Sequence, residues 1–493
     1  MKALYFQKRL FALLILMVAA VSCKQPETIV VDRNPKTAAP SDTSDTVQTR
    51  ARGEFQQLAI GENQSIHSLD PLLASNLAEM HAIQLVYEGL VRLNSSEEVI
   101  PAVAKRWTVQ NNNQSFTFTL RSDIFFHDSS IFGSGTGRKL KAGDVKFIFE
   151  RMAHNNVPPQ AALMFMNIEG MNAYYQEQRH VYDPEQRGLS GISGISAPND
   201  STVVFQLNRP DPDFLKKLAT PRAVVYPKEA TESQTGTFTA VASGPFTFSQ
   251  HPNDSTYIFA RFGDYYHSSD IKLDRVDIIS SADENALWQA MQAGDIHYLP
   301  GTGPQLAERL LSDEAKLIPE AANSTSLSGS VETELTLHRY FDAELPPGSA
   351  SDIARLAEQN TASLFAGMGP GISNPSFTAK GSTSASMSNL KLQAVASDNP
   401  YAEQLLKNLQ KMLSQKGASL TISNLQVPTR ETGLFVTEQW PLLSTSLWRD
   451  SPALLSFDIS RYSLTRDGLS NIDQSRYPWW IDLRNIQLSN NLN

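Results

Sequence analysis

Apolar positions recur at two spacings along this 493-residue chain, and the spacing predicts the main elements. Leu77, Met80 and Ile83 follow the three-to-four-residue period of an amphipathic helix. Phe116 and Phe118 alternate with polar residues, which is the pattern of a half-buried strand. The chain therefore mixes helices and strands and is expected to be an α/β protein.

The clearest predicted unit is a strand, a helix and a second strand in the C-terminal part of the chain. Residues 392–395 form the first strand, Asn399 is a candidate N-cap, and Pro400 suits the first helical position. Gly417 is expected to end the helix, and residues 419–422 return as a strand. The helix carries one apolar stripe: Leu405, Leu406, Leu409, Met412 and Leu413. A βαβ unit of this kind implies a parallel sheet.

Glycines mark predicted ends and loops. Gly89 and Gly294 are each expected to end a helix. Residues 371–389 are rich in Ser and Gly and predict a long surface loop. The glycines of "GSGTGRK" (133–139) lack the Gly-Lys-Ser/Thr ending of a Walker A loop, so a surface hairpin is predicted there instead of a phosphate site.

The first 53 residues predict export. Residues 1–22 have a positive start and an apolar run too short to span a bilayer, which predicts a signal peptide. They lead into Cys23, in a sequence that resembles a bacterial lipobox, so Cys23 is the expected lipidation site. An ordinary signal peptide with a chance cysteine, or a short buried helix, is the alternative. Residues 23–53 are expected to be the acylated cysteine and a flexible tether.

Composition excludes several classes of function. The formal net charge is −9 without a basic run, so no nucleic-acid partner is expected. The single cysteine rules out an internal disulfide. The Ser-x-x-Lys match at 388–391 lacks its partner motifs, and neither Gly-x-Ser-x-Gly nor His-Glu-x-x-His occurs. We therefore expect no catalytic residue, no metal and no cofactor.

Several segments occur in an order that resembles a known family. In chain order they are "SLDPLLASNLAEMHAIQLVYEGLVRL", "VIPAVAKRWTV", "FTFTLRSDIFFHD", "AGDVKFIFERM", "STVVFQLNRPDPDFLKKLATPRAVVYPKEA", "ASGPFTF", "LDRVDIISSADENALWQAMQAGDIHYL" and the βαβ unit. This order resembles the family 5 extracellular solute-binding proteins of ABC importers, of the oligopeptide- and dipeptide-binding type. Residues 302–390 fit it least, because the family's Arg-rich helix is not matched there.

The resemblance implies a fold like that of type II periplasmic binding proteins, with three discontinuous lobes and a ligand cleft between lobes. Lobe II would take residues 95–205, and lobe III, atypical and shortened, residues 302–460. Lobe I would combine three stretches of the chain: residues 54–94, 206–301 and 461–493.

The resemblance also implies where a ligand would be contacted. The candidates lie after the Leu-Asp-Pro turn, in the "SGPF" segment and in "LWRD": Ser75, Asn76, Ser243, Gly244, Phe246, Trp448 and Asp450. Asp450 would meet the amino terminus of a peptide, or it is a turn residue. Phe246 would line the cleft, or it packs in the core.

The function implied is that of a monomeric lipoprotein outside the cytoplasm, tied to a membrane by its lipid. It would capture a peptide or another small solute and deliver it to an ABC permease with its ATPase. The alternative is a degenerate family member that acts in envelope interaction or sensing without transport, which the unusual residues 302–390 motivate.

Overall fold

The structure is a computed structural model, and it describes residues 55–232, 237–339, 348–378, 387, 389–395, 399–423, 433–439, 453–472, 475–484 and 486–489. Trp448, Asp450 and Cys23 lie outside these residues.

Strands provide the framework of the fold. In chain order they are β1 Gln57–Glu62, β2 Glu88–Gly89, β3 Val91–Leu93, β4 Val99–Pro101, β5 Ala104–Gln110, β6 Ser115–Leu120, β7 Ile195–Asn199, β8 Thr202–Gln206, β9 Val224–Val225, β10 Phe246–Asn253, β11 Thr256–Arg261, β12 Arg275–Ser280, β13 Tyr298–Leu299, β14 Thr325–Arg339, β15 Ile372–Phe377, β16 Lys391–Val395, β17 Ser419–Ser423, β18 Leu434–Gln439, β19 Ala453–Arg466, β20 Leu469–Ser470 and β21 Gln487–Leu488.

Helices cover the sheets. In chain order they are α1 Leu77–Val86, α2 Ala142–Met152, α3 Pro159–Met164, α4 Met171–His180, α5 Phe214–Leu218, α6 Glu284–Ala293, α7 Pro304–Leu310, α8 Ser349–Gln359, α9 Thr361–Leu364 and α10 Pro400–Ser414. Short 3-10 turns occur at Pro184–Gln186, Pro221–Ala223, Lys228–Thr231 and Ser268–Asp270.

One mixed sheet connects most of the strands. Its order is β10-β11-β12-β1-β13-β19-β14-β18-β16-β17, and β15 pairs with β19 beside this path. Strand β1 runs parallel to β12 and β13, and β16 runs parallel to β17 and β18. The central pair, β14 and β19, is antiparallel and long. The sheet therefore has a parallel section toward each end of its length and an antiparallel pair between them.

A second, antiparallel sheet has the order β5-β6-β8-β7. Its inner face is aromatic: the rings of Phe118 and Phe205 are 5.8 Å apart and meet edge to face. Phe149 of α2 packs on Phe205 with ring centroids 5.0 Å apart. Edge-to-face rings bury large apolar areas in a favourable geometry, so these contacts hold α2 against the sheet.

The predicted βαβ unit is confirmed. Strand β16 pairs in parallel with β17, and α10 connects them. The side chain of Asn399 accepts hydrogen bonds from the backbone N–H of Tyr401 (2.8 Å) and of Ala402 (3.2 Å). These two bonds satisfy amides that the first turn of a helix leaves open. The predicted apolar stripe is buried: Leu405, Leu406, Leu409, Met412 and Leu413.

The structure corrects two predictions that were based on glycine residues. Helix α1 ends at Val86, where the backbone turns extended at Tyr87, and Gly89 lies in a strand. A Cβ on Gly89 would be 2.9 Å from the carbonyl oxygen of Val91, so close backbone packing explains that glycine. The predicted loop at residues 371–389 contains β15, because its backbone pairs with β19. Gly294, with φ +95°, does end α6 as predicted.

Four buried apolar clusters lie among the described residues, the smallest of them formed by Ala307, Leu311 and Tyr462. The large core runs from Leu58 to Leu488 and includes the aromatic face of the second sheet. The small core lies around α6 and α7 and includes Leu464. The C-terminal core lies around α8 and α10 and includes Leu335 and Ile459.

Candidate functional site at the junction of two cores

Strands β14 and β19 connect the small core with the C-terminal core. In β19, Leu464 belongs to the small core and Ile459 to the C-terminal core. Halfway along the pair, Val331 of β14 lies opposite Arg461 of β19. The two strands therefore form a bridge between separately packed bodies, which is the kind of connection about which lobes can close.

Parallel strands end on both sides of this bridge. Strand β1 ends at Glu62, and β18 ends at Gln439. Asn399, which follows β16, donates a hydrogen bond to Glu438 of β18 (2.7 Å). Ligands of open α/β sheets bind beyond the carboxyl ends of the strands, so the junction is where this topology favours a binding site.

A cavity lies at the junction, and we call it the junction cavity. Its empty space is about 340 Å³ when the open solvent at its mouth is counted, and the part that can hold the centre of a water molecule is about 20 Å³. It is lined by the end of β1, by α1, by the middle of the bridge and by two further loops: Glu62, Asn63, Gln64, Leu77, His81, Pro300, Gly301, Val331, Arg461 and Pro478. Amide, carboxylate, imidazole and guanidinium groups thus converge on an otherwise apolar space, as in small-molecule sites.

Arg461 is neutralised within the protein. Its guanidinium donates to both carboxylate oxygens of Glu438, at 3.0 to 3.1 Å, and both side chains are buried. The hydroxyl of Thr333 donates to the same carboxylate (2.6 Å), and the Tyr401 ring lies 5.3 Å from the guanidinium carbon. A charge-assisted network of this kind fixes the side chain in one orientation at the wall of the cavity.

Glu284 lies next to the cavity residue Asn63, where α6 and α7 meet. Its carboxylate accepts a hydrogen bond from the backbone N–H of Leu306 (2.7 Å) and so caps α7 from outside that helix. A Cβ on Gly303 would lie 1.5 Å from the same carboxylate, so this cap requires the glycine. Burial raises the pKa of Glu284 to about 7, although the Leu306 amide and the charge of Arg461 oppose the rise.

Ser75 and Asn76 lie at the start of α1, next to the cavity residue Leu77. The Asn76 side chain accepts the backbone N–H of Glu79 (3.0 Å) and donates to the carbonyl of Ser65 (2.8 Å). Ser75 donates to the Glu79 carboxylate through its backbone N–H (2.6 Å) and its hydroxyl (3.1 Å). Ser75 and Asn76 are therefore both bonded within the chain, and Asn76 forms a capping box with Glu79. Contact with a ligand stays a prediction for them.

Ser243, Gly244 and Phe246 lie at the other end of α1. A Cβ on Gly244 would be 2.5 Å from the backbone of Val86, so this glycine allows close approach of the chain's own helix. Phe246 is buried in the large core and borders a second cavity. The Ser243 hydroxyl is buried without a hydrogen-bond partner among the described residues.

The structure does not bring these two groups of predicted residues together. Helix α1 has ten residues, so its ends are about 15 Å apart. Ser75 and Asn76 adjoin the junction cavity, whereas Gly244 and Phe246 lie at the far end. Ligand contact at either group is untested, and one small ligand in the junction cavity would not reach both.

Sequence reasoning missed the residues that line or support the junction cavity. Glu62, His81 and Arg461 are charged or polar residues at positions that the apolar pattern places in the interior. Buried ionisable groups are rare unless they are paired, so each was a signal for a buried polar contact. The pattern alone did not show that β1, α1 and β19 meet.

The described ranges contain neither a metal-binding cluster nor a membrane-spanning helix. No three acidic, histidine or cysteine side chains gather there closely enough to hold a metal ion. In the same part of the chain, no helix combines the length and the apolar character that crossing a bilayer requires.

Curated relatives resemble the chain over part of their length. Residues 98–337 match the profile "Bacterial extracellular solute-binding proteins, family 5 Middle". The dipeptide-binding protein DppE of Bacillus subtilis is 25% identical over 281 residues, which are 56% of this chain and 48% of that protein. The dipeptide-binding protein of Escherichia coli is 27% identical over 238 residues, 47% of this chain and 42% of that protein. The matched part thus spans about half the length of these relatives.

A solved structure shows the same fold over more of the chain. The murein tripeptide binding protein MppA of Escherichia coli superposes with a TM-score of 0.66 at 15% identity, covering 88% of this chain and 99% of that one. The expected fold, α/β and like that of type II periplasmic binding proteins, is confirmed. The matched family consists of binding proteins and not enzymes. The profile match, the dipeptide-binding relatives and the fold together show that this chain is similar to family 5 of the bacterial extracellular solute-binding proteins.

Proposed function

We propose that the protein captures peptides outside the cytoplasm, in the cleft that contains the junction cavity. The observation that carries the proposal is the position of this cavity. It lies beside the middle of the β14–β19 bridge and at the carboxyl end of β1, with α1 as a further wall. The dipeptide-binding relatives supply the ligand class.

The chemistry of the cavity wall fits an extended peptide better than a strongly charged solute. Among the described lining residues, Arg461 is neutralised by Glu438, and Glu62 is paired with His81. The amides of Asn63 and Gln64 add groups that can hydrogen-bond a peptide backbone. Peptide termini need further charged contacts, and Asp450 is our candidate for the amino terminus.

We further propose delivery of the peptide to an ABC permease and its ATPase. In this proposal the protein is a monomer that closes about the β14–β19 bridge, and it has no nucleic-acid partner. It would be held at a membrane by lipid on Cys23, through the tether of residues 23–53. Three discontinuous lobes, with the boundaries given above and an atypical lobe III, belong to the same proposal.

Thermal melting against a library of di- to pentapeptides tests the proposal. A ligand that binds only the folded protein stabilises it by about 2.7 kcal/mol at a hundred times its Kd, which a melting curve resolves readily. We expect a subset of peptides to raise the melting temperature in a dose-dependent way. If no peptide and no other small solute does so, import is refuted and the envelope-interaction alternative is favoured.

The lipid anchor has a separate test. Expression of the full chain in a bacterium fed a labelled fatty acid should label the protein and place it in the membrane fraction. Cys23→Ala should remove both the label and the membrane association. A labelled Cys23→Ala protein, or an unlabelled wild type in the soluble fraction, would refute the anchor and leave peptide capture untouched.

A further inference from the structure

The Glu62–His81 pair at the wall of the junction cavity has no role in the function proposed so far. The ring Nδ1 of His81 lies 2.6 Å from Oε1 of Glu62, and the ring Nε2 lies 2.8 Å from the carbonyl oxygen of Pro478. The side chains are 3% and 5% exposed. A β-strand, a helix and a C-terminal segment are thus tied together beside the cavity.

The contacts of the ring fix the number of hydrogens that the pair holds. A carbonyl oxygen can only accept, so Nε2 of His81 must carry a hydrogen. At 2.6 Å, Nδ1 and the Glu62 oxygen must share another hydrogen, whichever of the two atoms it is bonded to. The pair is therefore neutral as a whole, and the ring holds the carboxyl group in one orientation.

The second oxygen of Glu62 is left open. It has no hydrogen-bond donor among the described residues, and Glu62 both lines the cavity and is 4% exposed. Arg461, which also lines the cavity, donates to both oxygens of Glu438 instead. This oxygen is not among the fully buried side-chain atoms that lack a partner, so it is an acceptor at the cavity wall that a donor entering the cavity can reach.

We propose that the second oxygen of Glu62 accepts a primary ammonium group of the ligand, and that His81 positions this carboxylate. The inference rests on the proposed peptide function. An ammonium group brings three donors and a positive charge, and charge-assisted hydrogen bonds are the stronger ones. The ammonium nitrogen would lie within hydrogen-bond distance of the second oxygen of Glu62. It would be farther from the His81 ring, because the ring is bonded to the other oxygen.

The ammonium could come from the α-amino group of a peptide or from a lysine side chain. Two pairs of probes separate these sources in calorimetric titrations. Ala-Ala is compared with N-acetyl-Ala-Ala, and Ala-Lys-Ala with Ala-norleucine-Ala. Within each pair, one member carries the ammonium and the other lacks it. If Asp450 binds the α-amino group, the lysine pair alone should respond to changes at Glu62.

Glu62→Gln is the test variant. We expect it to lose at least tenfold in affinity for the ammonium-bearing member of one pair, with the neutral member unchanged. Glu88→Gln is the matched control, because Glu88 is equally buried but bonds Tyr265 outside the junction cavity. That control should leave both members unchanged. His81→Gln should weaken the same preference less than Glu62→Gln does, since the carboxylate remains.

The outcomes separate the two proposals. If the wild type binds no probe and no other peptide, peptide capture fails, and the ammonium contact fails with it. If peptides bind and Glu62→Gln weakens both members of each pair equally, or neither, the ammonium contact alone is wrong. Should Glu62→Gln not fold, the wild type decides: less than tenfold preference for the ammonium in both pairs overturns the inference.

Discussion

Replacing Glu284 by Gln should make the protein more stable at neutral pH and change little in acid. Glu284 is 4% exposed, and burial raises its pKa to about 7 in the folded chain. An unfolded chain has a glutamate pKa of about 4.3. Glutamine keeps the shape and the oxygen that accepts from Leu306, but it has no charge to bury.

The direction of the pH effect follows from which state holds more protons. Below about pH 4.3 Glu284 is protonated in both the folded and the unfolded chain, so its contribution to the free energy of unfolding is largest there. Between about pH 4.3 and 7 the unfolded chain has lost the proton and the folded chain still holds it, so stability falls as pH rises. One pH unit in pKa corresponds to about 1.4 kcal/mol, so the loss approaches about 3 to 4 kcal/mol by pH 8.

Urea unfolding followed by circular dichroism at pH 4.5, 6, 7 and 8 measures this effect. The free energy of unfolding of Glu284→Gln should exceed that of the wild type by an amount that grows from near zero to about 3 kcal/mol. Glu403→Gln is the control, because Glu403 is exposed and pairs with Lys407 on the surface of α10. Parallel curves for Glu284→Gln and wild type from pH 4.5 to 8 would refute the reasoning.

Three further predictions follow from contacts described above. Arg461→Met should destabilise the protein by about 3 to 5 kcal/mol, because the Glu438 carboxylate is left buried without a counter-charge, and Glu438→Gln in the same chain should recover part of the loss in urea titrations. Gly244→Ala should cost about 3 kcal/mol through overlap with the end of α1, whereas Gly263→Ala, where a Cβ meets open space, should leave the melting temperature unchanged. Asp450→Ala should weaken calorimetric binding of free-amino peptides more than of acetylated ones, and equal losses would remove Asp450 from the site.

Elements with strong local signals were predicted from the sequence. The βαβ unit combined a buried apolar stripe, an N-cap with proline after it, and strands of the right length, so local preference and burial agreed. Strand β15 was missed because its Ser- and Asn-rich sequence has little strand preference. Pairing with β19 supplies the hydrogen bonds that stabilise it there, which no local pattern reports.

The candidate site was predicted less well than the fold. The family resemblance directed attention to Ser75, Asn76 and Gly244, and in the structure their clearest contacts are to the chain itself. Glu62 and His81 are 19 residues apart, and Pro478 is 397 residues from His81. A contact of that separation leaves no spacing in the sequence by which it can be recognised.

By itself, the sequence determined what depends on neighbours in the chain: helix and strand periods, caps and the order of segments that resembles family 5. The tertiary structure alone decided what depends on distant segments meeting. It placed Arg461 opposite Val331 halfway along the bridge and set Glu284 against the start of α7. The physical reason is that hydrophobic periodicity reports how much of a side chain is buried, but not which partner it is buried against. Charges, cavities and pKa values are properties of those partners.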